Sequence, residues 1–187
     1  GYWVHVLKDT TLVMYNSVIT SDAKEAAAEE RARPTATEWC LRFGASVAGG
    51  CDPANYVAIS AAATDGYDAG VDVPEPPALD SPVRVCMTRD QWGDNGGDYA
   101  KDVRGALGAG QEWDVEVSCA VAEADVTLTW PELNAQVPAG VALILRDEDA
   151  GRDVFMRTVG SYTYKSGNVG GVRHFTLTAV PADSRAI

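Results

Sequence analysis

Cations are scarce in this chain. Its 187 residues carry 15 Lys+Arg against 27 Asp+Glu, a formal net charge of −12. A surface so poor in Lys and Arg cannot displace the counterions of a nucleic acid, and anionic membrane surfaces repel it for the same reason. Long apolar runs are missing as well. No stretch approaches the ~20 residues that a membrane-spanning helix needs. Histidine occurs only as His5 and His174, and neither has the neighbours for a Ser/His triad or a His-containing metal site. The opening Gly1-Tyr2-Trp3-Val4 has no basic segment and no apolar h-region, so an export signal is expected to lie upstream or to have been removed.

Motifs of catalysis are equally thin. Gly44-Ala45-Ser46-Val47-Ala48 approaches the nucleophile elbow, but Ala48 stands where the second Gly belongs and no helix follows. Gly105–Gly110 leads into a strand pattern and does not have the spacing of a phosphate loop. Acidic pairs are so numerous that pairing alone says nothing about glycoside chemistry. The expectation is a protein that is not an enzyme.

What is present is period-two alternation, the mark of half-buried strands. It predicts strands near Trp39–Ser46, Asn55–Ser60, Val83–Met87, Trp113–Ala120, Val126–Trp130, Val141–Arg146, Val154–Thr158, Ser161–Lys165 and Val172–Ala179. Gly and Pro turns separate them. Such a pattern predicts an all-β fold, a two-sheet antiparallel β-sandwich of about nine or ten strands. Residues 1–16 read as a β-hairpin, the end of a preceding module or an added edge strand. Residues 17–37 read as a linker or short helix, since 21–33 is a run of helix formers without an apolar stripe. The sandwich then spans 38–180, and 181–187 begins a C-terminal linker.

Two long stretches, Ala61–Pro82 and Thr88–Glu112, interrupt the strands, and loops of this length are usually functional or flexible. From Asp65 to Asp102 there are nine acids against three bases. Asp65, Asp68, Asp72 and Glu75, with Gly66 and Gly70 between them, are candidate ligands for Ca²⁺, which takes six to eight oxygens. The spacing is not that of an EF-hand, and the alternative is a turn whose aspartates bond backbone amides. Asp90, Asp94, Asn95 and Asp98 form a second, weaker calcium candidate. Trp92 lies in the same loop and is the aromatic to test for stacking on a sugar ring. Trp39, Trp113, Trp130, Tyr162 and Tyr164 are expected in the core.

The four cysteines, Cys40, Cys51, Cys86 and Cys119, have neither metal-finger nor CxxC spacing. They are read as two disulfides of a secreted protein or as reduced core thiols. A hairpin turning at Ala48-Gly49-Gly50 puts Cys51 at its tip and Cys40 far down the strand, too distant for a bridge. Strand parity puts Cys40 and Cys86 on polar faces and favours 40–86 with 51–119.

The order of several motifs resembles a known family. These are Ala63–Asp68 with Asp72 and Pro74–Pro77, then Tyr99–Arg104, then Trp113–Val117. Val126–Pro131, Pro138–Gly140, Leu143–Asp147, Met156-Arg157, Ser161-Tyr162 and Arg173–Leu177 follow. Over roughly residues 38–180 they resemble a β-sandwich module of large modular secreted or surface-attached bacterial proteins, the kind that precedes an immunoglobulin-like or sorting module. Gly1–Val4 with Thr11–Val13 resembles the closing hairpin of the module before it. The resemblance implies a non-enzymatic, extracellular or cell-surface role as a spacer, adhesive or assembly unit. Its implied partners are other modules of the same polypeptide or neighbouring subunits. Two alternatives accompany it. One is a calcium-dependent carbohydrate-binding module recognising a polysaccharide. The other is a filament or surface-lattice subunit that donates the strand Tyr2–Leu7 to a neighbour.

Overall fold

The computed structural model describes Thr35 and residues 37–77, 81–167 and 171–182. The hairpin expected over 1–16, the helix formers of 21–33 and residues 183–187 lie outside the described residues. The strands are β1 (Glu38–Val47), β2 (Gly50–Ser60), β3 (Val73–Pro74), β4 (Val83–Thr88), β5 (Asp98–Arg104) and β6 (Gln111–Cys119). They continue with β7 (Asp125–Thr129), β8 (Val141–Asp147), β9 (Arg152–Phe155), β10 (Ser161–Lys165) and β11 (Val172–Pro181). All belong to one sheet in the order β10-β7-β1-β2-β5-β4-β6-β11-β8-β9, with β3 paired to β5 off that path. The fold is all-β, and the sheet is nearly closed into a barrel.

The nine strands expected from alternation are all present, with ends shifted by a few residues. β3 and β5 were not expected. β5 escapes the pattern because its inward positions include the charged side chains of Asp102 and Arg104, both buried. It also departs from the antiparallel rule, running parallel to β2 over Lys101–Arg104 and antiparallel to β4 over Asp98–Tyr99. The ladder therefore passes through β5 from one half of the sheet to the other. Asp52 reinforces the junction, since its Oδ2 accepts the Val85 amide at 2.7 Å.

Alternation places the core where it was expected. Trp39, Trp113, Trp130, Tyr162 and Tyr164 are buried, and Trp39 meets Trp113 edge-on with ring centroids 6.0 Å apart. The β1–β2 register slips between Phe43 and Ala45, leaving Gly44 paired only with Thr129 of β7. A Cβ at Gly44 would lie 2.4 Å from the Asp52 carbonyl oxygen and 2.6 Å from Pro53 Cα. Only glycine lets the two backbones approach this closely. Cys86 is buried in β4, yet by parity it lies on the polar face, opposite Glu116 and beside Arg84. Val85 and Met87 alternate into the apolar core, and Cys86 between them is covered on the other face by the Glu75–Arg84 side chains.

Candidate functional site

The acidic stretch after β2 is held down residue by residue. Asp68 accepts from the Thr64 amide at 2.6 Å and the Thr64 hydroxyl at 3.1 Å. Asp72, buried, accepts from the Asp68 amide through one oxygen (2.7 Å) and from the β5 amide of Val103 through the other (2.8 Å). Burial raises the Asp72 carboxyl and these two amides oppose the rise. Asp65 accepts from the Gly105 amide at 3.3 Å and from Gln111 Nε2 at 3.0 Å. Glu75 faces Arg84. The four expected calcium ligands thus point to separate partners. No group of three or more His, Cys, Asp or Glu among the described residues is placed to hold a metal ion. The arrangement is a chain of carboxylate-to-amide hydrogen bonds fastening a long loop onto itself and onto β5.

The second stretch folds as a short 3₁₀ segment, Asp90–Asn95. Asp90 and Asp94 are exposed, the Asn95 carbonyl accepts the Tyr99 hydroxyl, and Asp98 binds Arg84 at 2.8 Å. These four do not converge either. Trp92 is half-buried rather than displayed. It lies edge-on to Tyr99 at 4.8 Å between centroids, with Tyr67 at 6.0 Å. The Arg89 and Arg104 guanidinium carbons each lie 5.9 Å from the Trp92 ring centroid.

Beneath Trp92 is a charge cluster that hydrophobic patterning does not detect. Asp102 is fully buried between two guanidiniums. Arg89 Nε donates to one carboxylate oxygen, and Arg104 Nε donates to the other at 2.8 Å. Arg89 also donates to the Thr88 carbonyl and to Asp114, leaving its buried Nη2 without a partner. Burial lowers the Arg89 pKa, with Asp102 resisting. The available sequence signal is Asp102-Val103-Arg104, since residues two apart on a strand share a face. Such a triad stays intact only because each charge has a partner at hydrogen-bonding distance.

Another buried carboxylate, Asp147 at the end of β8, lies where the two ends of the sheet approach. Arg173 of β11 donates to it at 2.7 Å from Nη2, the Tyr162 hydroxyl of β10 donates at 2.7 Å, and the Ala150 amide donates at 3.0 Å. Burial alone would raise its pKa. Arg173, Tyr162 and the amide together bring it below the usual carboxylate value. Because β10 and β9 are the ends of the strand order, this contact joins β10 to β8 and β11 by side chains rather than by a backbone ladder.

The remaining candidates stand apart. All four cysteines are free thiols, Cys40 and Cys51 exposed, Cys86 and Cys119 buried, so neither expected bridge is joined here. Burial pushes the Cys86 thiol up to about 12. Cys40 pairs with Ala58 and Cys51 with Ser46 across the β1–β2 hairpin, which is the separation that excluded a 40–51 bridge. His174 on β11 is exposed beside Glu116 and Asp149, at 3.5 and 3.8 Å. Ser46 is on β1, and the two do not share a site. An open groove of about 580 Å³ runs beside the one-turn helix α1 (Leu133–Gln136), between Trp130 and Val159. Comparison with family models, with curated proteins and with solved structures finds no match to this chain.

Proposed function

We propose that this chain is a non-enzymatic structural module of a larger secreted or surface-attached protein, spacing or displaying its neighbours outside the cell. The observation that supports the reading most directly is how the long acidic loop is spent. Asp65, Asp68 and Asp72 accept hydrogen bonds from the protein's own amides and side chains. Trp92 packs on Tyr99 and two arginines. Groups that would serve a ligand are used to stiffen the body, which is what a spacer requires. In this reading the two halves of the sheet are the facing layers of the expected sandwich, with β5 as the strand common to both.

The experiment is labelling of intact producing cells with a membrane-impermeant amine reagent, followed by recovery of the peptide bearing Lys165, whose side chain is 60% exposed. The expected result is label on intact cells, together with a monomeric mass for the isolated chain across a concentration series. Label that enters only after lysis would overturn the extracellular reading. Concentration-dependent growth of the mass would favour the lattice subunit instead.

A further inference from the structure

Glu75 differs from the other acids of its loop. Its side chain is only 8% exposed, and its nearest cation is Arg84 Nε at 3.6 Å, beyond hydrogen-bonding distance. That guanidinium is already bound to Asp98 of β5 at 2.8 Å. Asp52 of β2 faces the same space, with its oxygens taken by Asn55 Nδ2 (3.1 Å) and the Val85 amide (2.7 Å). Cys86 of β4 adjoins them as a neutral thiol. Glu75 and Asp98 therefore share one guanidinium, and Glu75, the more enclosed of the two, has no donor of its own among the described residues. A buried carboxylate in that position is destabilised unless it is protonated or leaves.

We propose that Glu75 is a proton-dependent fastener of the acidic loop: neutral, it stays against β4 and β5 and holds the end of β3; ionised, it withdraws to water and frees that segment. Burial first, then Asp52 and Asp98, push its carboxyl up to about 7, with Arg84 opposing. The ordinary value is 4.5. Because the folded value lies above the unfolded one, the neutral form's contribution is complete below about pH 4.5 and is lost as pH rises through about 7. The switch therefore operates near neutrality. It does not depend on the extracellular reading, since it follows from the cluster alone.

The test is amide hydrogen exchange on the full chain from about pH 5.5 to 8.5, corrected for intrinsic rates. Protection of residues 73–77 is expected to fall by up to about tenfold per pH unit on the approach to the midpoint and to level off above it, while β8 and β11 stay level. Glu75→Gln is expected to keep the segment protected throughout, and Glu148→Gln to behave as wild type. A carboxyl-detected NMR titration of wild-type Glu75 supplies a readout that no variant can spoil, with a midpoint expected near 7. A midpoint below about 5, or pH dependence undiminished in Glu75→Gln, would overturn the proposal. So would restoration of protection at high pH by millimolar calcium, which would make the cluster a cation site.

Discussion

The contact at Asp147 gives a sharp test of how the barrel is closed. Asp147→Asn keeps the size of the side chain and removes its charge. The Arg173 guanidinium, donating at 2.7 and 3.0 Å, then faces a neutral amide, and Tyr162 loses a charged acceptor. Breaking one side of a buried ion pair costs ~3–5 kcal/mol. Arg173 is not fully enclosed, with 24% of its side chain exposed, and Asp149 lies 3.9 Å from its Nε. Its charge can be rehydrated or re-paired, which lowers the expected loss to about 2–3 kcal/mol. For a folded unit of this size that is a fall of roughly 4–12 °C in Tm.

Urea unfolding followed by tryptophan fluorescence measures the loss, and exchange of the β10 amides locates it. The wild-type carboxyl is held below its ordinary value, so its contribution is present above about pH 4 and fades as pH falls through the folded value. The gap between wild type and Asp147→Asn is therefore expected to close in acid. A loss under 1 kcal/mol at neutral pH, or a gap that does not narrow in acid, would refute the idea that this carboxylate joins the two sheet ends.

Two further outcomes follow from single contacts. Gly44→Ala drives a Cβ into the Asp52 carbonyl and Pro53, so the β1–β2 bulge must shift; an expected loss of ~2–3 kcal/mol in urea unfolding checks it. Trp92→Ala removes the Tyr99 contact and both guanidinium contacts, with an expected loss of ~2–3 kcal/mol and faster exchange of the β5 amides; thermal melts and exchange measure the two effects.

The strands were legible wherever one face is apolar and the other polar. Ser161–Lys165, with Tyr162 and Tyr164 inward, is such a case. β5 was not, because the fold buries Asp102 and Arg104 and compensates them with Arg89, thirteen residues before Asp102 in a different element. Periodicity reports hydrophobic burial; it is blind to burial by charge pairing, which depends on a partner distant in sequence. The acidic loop was legible as a site of concentrated charge but not in its use. Whether aspartates gather on an ion or turn to amides depends on where the β5 amide of Val103 comes to lie, and β5 was one of the two strands not expected.

The buried carboxylates form a series set by their donors. Asp147 has a guanidinium, a hydroxyl and an amide, and its pKa falls below the ordinary value. Asp72 has two amides and rises. Glu75 has a guanidinium it must share, beyond hydrogen-bonding distance, and rises to about 7. All three are desolvated, so burial alone cannot order them; the number and charge of the donors does. Acidification and a rise through neutrality must therefore act at different places. Strong acid weakens the join between β10 and β8 by protonating Asp147, while a rise through neutrality strips the proton from Glu75 and loosens the loop beside β5. A chain of net charge −12 keeps both regions closed only between those limits, because its few arginines go to the carboxylates at the barrel's seam and beneath Trp92 and leave Glu75 to a proton.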